Sequence, residues 1–287
     1  MTDLILHSDR CVLGNSPESL RLAPARVVLR DGTIASVQEG GPADGSHRLG
    51  GQLLAPAFVN AHTHLALHAC RGLANQDLLR GNLVEDVFYA VEKHLQSADV
   101  EAFARVAALE CLLAGVGTVF DHYYHGSATA RAVRECGLAA LVAPTLQDVA
   151  GPGSDAAEAA LAETVELDQP GWARAGIRPA VGPHATDTVS VDLWRRAVQI
   201  AEDRNLLLHA HVAQSAEETM RCLESHGCGP VEWMYREGLL GSSARQLLVH
   251  ALFVSDAELQ RLDSARHALC ACPYSQMQFG FPAPVPE

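Results

Sequence analysis

No stretch of this 287-residue chain approaches the roughly 18 uninterrupted apolar residues that a membrane-spanning helix needs, so no membrane partner is expected. The opening "MTDLILHSDR" has no basic region ahead of an apolar run and does not read as a secretory leader. Positive charge is scarce. With 21 Lys and Arg against 34 Asp and Glu, the formal net charge is −13. Such a surface repels phosphate backbones, which argues against nucleic acid and anionic lipid as partners. Lysine is almost missing, Lys93 being the only one. The eight cysteines (Cys11, Cys70, Cys111, Cys136, Cys222, Cys228, Cys270 and Cys272) are scattered rather than spaced as a disulfide framework. Reduced thiols in a cytoplasm are the expectation. Small neutral or cationic ligands stay open.

What the chain has in plenty is histidine, 14 in all, and 48 % hydrophobic residues, ample for a core. Residues 1–56 read as short strands: "LILHSDRCVL", "ARVVLRDGTIASVQEG" and "HRLGGQLLAPAFVN" carry β-branched residues between Asp-Gly, Gly-Gly and Pro punctuation. This predicts a small N-terminal β subdomain. From about residue 57 to 287 apolar strands alternate with helical stretches such as "SADVEAFARVAALECLLAG" and "SVDLWRRAVQIAEDRN". Seven strands in β-then-α order imply a parallel sheet with right-handed crossovers, and that number points to a (β/α)8 barrel lacking its eighth strand. An open doubly wound sheet is the alternative. It normally carries a Gly-rich phosphate turn after its first strand, where this chain has "NAHTH".

Barrel chemistry sits at the C-terminal ends of the strands, and the histidines fall there. In "FVNAHTHLALHACRG", His62 and His64 are spaced i, i+2, which on a strand sends both imidazoles to one face. His184 ends the fourth strand, His209 and His211 the fifth, and His250 the sixth, while His122 and His125 follow the second. A single such residue would be an ordinary core or loop histidine. Several converging neutral imidazoles are instead the ligands of zinc, iron or nickel.

"LLAPAFVNAHTHLALHACRG", "VGPHATDTVS", "LLLHAHVAQSAEE", "LLVHALFVS" and "ACPYSQMQFG" together resemble the amidohydrolase superfamily. The similarity is to its branch of cyclic-amidine deaminases and triazine hydrolases. The resemblance implies that His62, His64, His211 and His250 hold one divalent metal, zinc ahead of iron, and that His184 hydrogen-bonds the substrate. It implies, less securely, that Glu92 binds the substrate ring. Gln214 and His250 are the implied catalytic positions. His209 is read as packing behind a ligand, and His122 and His125 stay unassigned. Binuclear members bridge two metals with a lysine at the end of strand four. Lys93 lies between strands one and two, so a single metal is expected. The implied activity is a cytoplasmic aminohydrolase converting C–NH₂ to C=O on a purine, pyrimidine, pterin or triazine. Homo-oligomers are common in the branch.

Two departures bear on activity. Gln214 stands where the branch's deaminases carry a proton-shuttling glutamate, Gln276 replaces an asparagine, and Ala271 replaces a histidine. Loss of general acid–base help costs about 10²–10⁴ in rate, which a chloride leaving group would feel less. A dechlorinating triazine hydrolase is therefore the second reading. The sequence also ends at Glu287 with no counterpart of the branch's strand-eight aspartate. Unpaired strand edges at about 1–3 kcal/mol per buried group rival a domain's whole stability. A non-catalytic remnant or binding subunit is the third reading.

Overall fold

Apolar strands followed by amphipathic helices form two sheets, set in two compact units that divide between Phe58 and Val59. The computed structural model describes residues 3–73 and 82–280. In the first unit β1 (Leu4–Leu13) pairs antiparallel with β2 (Arg21–Arg30), and β2 with β3 (Thr33–Glu39). Two short strands, β4 (His47–Arg48) and β5 (Leu53–Leu54), run parallel to β1. Its small core gathers Cys11, Leu13, Ala25 and Val27.

The second sheet runs in strict sequence order. Its strands are β6 (Phe58–Thr63), β7 (Val116–Tyr123), β8 (Ala139–Leu146), β9 (Ile177–Pro183), β10 (Leu207–Val212), β11 (Gln246–His250) and β12 (His267–Cys270). The registers are parallel from β7 to β12. On a flat sheet β6 and β11 would stand about 24 Å apart, five spacings of about 4.8 Å. The ring centroids of His62 and His250, at the ends of those two strands, are only 5.8 Å apart. The sheet therefore curls into a barrel, open between β12 and β6 among the described residues. Helices such as Ser97–Leu113, Gly126–Cys136, Val191–Arg204 and Ala216–His226 follow the strands in turn.

Two apolar clusters separate helices from sheet. One joins Trp194, Ala197 and Ala201 to Val181, Leu208 and Leu248, and the other joins Val100, Ala104 and Ala108 to Val119 and Val142. Helix ends are marked as the sequence suggests. Ser190 and Ser215 cap their helices by accepting from Leu193 N–H and Glu218 N–H. Gly182 has no room for a side chain, since a Cβ there would meet the Pro144 carbonyl oxygen at 2.7 Å. Its bareness lets β9 lie close to β8 just before His184. The sixth strand ends where the sequence puts its end. It stops at His250, where φ of +74° and then +48° at Ala251 turn the chain away.

Candidate metal centre

Alternation within strands decides which histidines face the barrel interior. His62 and His64, two apart, share a face, and so do His209 and His211. The backbone then locks β9, β10 and β11 at their ends. His211 N–H donates to the His184 carbonyl at 2.9 Å, and Ala251 N–H to the Val212 carbonyl at 2.9 Å. Ala213 and His250 both have positive φ, a conformation that costs a non-glycine residue about 1–3 kcal/mol.

The rings meet closely. His211 Nε2 lies 3.2 Å from His62 Nε2 and 3.3 Å from His64 Nε2. The donor atoms of His62, His211 and His250 all fall within 4.8 Å of one another. Tautomers follow from the other nitrogens. A carbonyl can only accept, so His211 Nδ1, 3.0 Å from the His184 carbonyl, carries the proton, and His64 Nδ1 likewise donates to the His122 carbonyl. Both rings therefore present bare Nε2 lone pairs to each other, a repulsive arrangement unless a cation sits between them. Zinc–nitrogen bonds of about 2.0–2.1 Å place tetrahedral ligands about 3.3–3.4 Å apart. The observed spacings match. The residues fit a divalent metal.

Other expected site residues surround this centre. His184 is buried, 5.0 Å from His211 between ring centroids, with Thr188 Oγ1 2.8 Å from its Nδ1. Glu92 and Gln214 line the same cavity of about 950 Å³ as His62, His64, His184, His211 and His250. Burial drives the imidazoles below their ordinary value, His184 to about 3 and His250 to about 4, with neighbouring histidines adding to the effect. Neutral rings are what a metal requires. Burial acts oppositely on Glu92, raising its carboxyl to about 7 against the pull of the Tyr123 hydroxyl.

His209, read as packing, stands 2.9 Å from His62 Nδ1 through its Nε2 and so orients that ring. His122 also lines the cavity, its ring 4.9 Å from His211, whereas His125 caps the helix that follows in a left-handed conformation. Both Asp121 and Glu218 were missed. Asp121 accepts the N–H of Leu65, the residue after His64, at 2.7 Å. Glu218 accepts from Thr186 Oγ1 at 2.6 Å and from Gln214 N–H at 2.8 Å, tying the loops after β9 and β10 together. Its place three residues after the capping Ser215 was a visible clue to a helix start, but not to these partners.

A model of the amidohydrolase family matches residues 53–280. This chain belongs to the amidohydrolase family. Among related amidohydrolases, a 5-methylthioadenosine/S-adenosylhomocysteine deaminase of Nitratidesulfovibrio vulgaris strain Miyazaki F is 32 % identical over 99 % of this chain and 65 % of its own length. A 5′-deoxyadenosine deaminase of Methanothermobacter thermautotrophicus is 30 % identical over 93 % of this chain and 63 % of its own. The chain thus spans just under two thirds of these relatives. A solved adenosine deaminase from Xanthomonas campestris with bound zinc superposes with a TM-score of 0.80 at 21 % identity, covering 97 % of this chain and 64 % of the other. A guanine deaminase from C. acetobutylicum gives 0.81 at 16 %, covering 97 % and 70 %. These likenesses establish the amidohydrolase barrel. The expected fold, an incomplete (β/α)8 barrel behind a small β unit, agrees with them.

Proposed function

We propose that this chain carries the metal-binding part of a hydrolase that deaminates a nitrogen heterocycle, with adenosine derivatives first among the candidates. The observation that carries the reading is the cluster of imidazole Nε2 atoms, 3.2 and 3.3 Å apart, that lines the cavity. Relatives named as deaminases of adenosine derivatives supply the substrate class. His62, His64, His211 and His250 would hold one divalent ion, zinc ahead of iron. Such an ion would act as a Lewis acid and lower the pKa of bound water to about 7. His184 and Glu92 would bind the ring nitrogens. With its carboxyl near 7, Glu92 can give or take a proton at neutral pH, which Gln214 cannot. Gln214 is left to orient water or the departing amine by hydrogen bonds. In the net reaction water's oxygen becomes the new carbonyl oxygen, and the C–N bond breaks to release ammonia.

Metal analysis with an ammonia assay on adenosine derivatives tests this. Roughly one zinc or iron per chain with ammonia release is expected; a purified chain without stoichiometric metal would leave only a binding role. Gln214 itself favours a second reading, hydrolytic dechlorination of a triazine, because chloride departs without a proton. Replacing Gln214 by Glu should raise ammonia release at least tenfold if proton transfer limits the reaction. An unchanged rate would favour dechlorination.

A further inference from the structure

The cavity above the histidines has an uneven charge. Its described lining includes the carboxyl groups of Glu85, Glu92, Asp187 and Glu217 and one guanidinium, Arg221. That guanidinium is already engaged, with Nη1 2.6 Å from Glu85 and 3.0 Å from Asp187. Asp187 is half-buried, its side chain 8 % exposed, and its Oδ1 has no partner among the described residues. Gln276 is buried in the same lining, and both polar atoms of its amide lack partners. Residues 74–81 lie outside the described residues. Much of "NQDLLRGNLVEDVF", the segment expected to tune specificity, falls there too.

Apart from the metal that the histidines would hold, the described lining has no free cation to receive a carboxylate or phosphate, while a carboxylate oxygen and a neutral amide await hydrogen-bond donors. We infer that the site selects heterocycles whose substituents are neutral or cationic and rejects those bearing carboxylate or phosphate. This rests on the deaminase reading above and narrows its substrate class. An anionic tail would face net repulsion from the wall and displace Glu85 or Asp187 to reach Arg221. A hydroxyl or ammonium meets acceptors directly. The distinction matters because one relative's name covers both methylthioadenosine, which is neutral, and S-adenosylhomocysteine, whose amino-acid tail carries a carboxylate beside an ammonium.

Calorimetric binding to the zinc-loaded chain near neutral pH separates the cases, using adenosines that carry hydrogen, an amine, a carboxylate or a phosphate at the 5′ position. The hydrogen and amine forms are expected to bind at least tenfold tighter than the two anions. Anions binding as well as the neutral form would overturn the inference while sustaining the deaminase reading. If no adenosine binds at all, that reading fails and the inference falls with it. Asp187→Asn frees Arg221 from one partner and should narrow the neutral-to-anion ratio at least threefold. Glu217→Gln provides a second, more exposed change in the same direction. An unchanged ratio in both variants would overturn the electrostatic cause.

Discussion

The middle of the barrel sheet and its two flanks are built to different standards. Strands β8, β9 and β10 are buried along almost their whole length, with Val181 and Leu208 at 0 % exposure. In β6 and β12, which have a strand neighbour on one side only among the described residues, Val59 is 60 % and Leu269 48 % exposed. Yet the candidate metal centre draws His211 from the middle and His62 and His64 from a flank. Packing and the His184 carbonyl hold the central histidine, whereas the flanking pair is held by hydrogen bonds to His209, to the His122 carbonyl and, through Leu65, to Asp121. A site can thus be ordered at a sheet's flank by contacts across the barrel interior.

The largest expected effect would break that equivalence. His211→Ala should remove bound metal and lower turnover by at least 10³-fold, since it deletes the donor shared by both close nitrogen pairs. Metal content and kcat/KM check it, and retained stoichiometric metal would sink the assignment. Next comes packing. Val181→Ala should cost about 2–3 kcal/mol in denaturant unfolding, for lost burial plus the cavity left behind.

Acid sharpens the comparison further. Burial lowers the pKa of His62, His64, His122, His184, His209, His211, His250 and His267. Unfolded imidazoles take up protons near pH 6.5 while the buried rings do not, so their stabilisation is present above about 6.5 and lost as pH falls below it. The raised carboxyls act the other way. Glu92, Asp121 and Glu218, lifted to about 7, contribute most below their unfolded values and lose that contribution as pH rises through 7. Histidines outnumber them, so the metal-free chain should unfold more easily near pH 5 than near pH 7.5. Denaturant titrations at both pH values decide the sign, and greater stability near pH 5 would refute it. The smallest effect belongs to the flank: Val59→Ala should change stability by less than about 0.5 kcal/mol.

Much of this was legible in the residues. The β-then-α alternation gave the barrel, and histidines at strand ends pointed to the candidate ligands, because each signal depends on local spacing. His122 and His209 were harder to place. Their roles depend on which way a strand's alternating faces turn, which a slip of one residue reverses. The pairing of His209 with His211, i and i+2 like His62 with His64, was the available hint. Asp121, Glu218 and Asp187 escaped because their partners lie 56, 32 and 34 residues away. A carboxyl buried by distant segments looks, in the sequence, like any surface acid.

The contact between His62 and His211 joins residues 149 positions apart. Closing so long a loop sacrifices chain entropy before any reward arrives, which places this meeting late in folding. Metal should therefore slow unfolding while leaving the refolding rate nearly untouched, a division that stopped-flow traces with and without zinc would reveal.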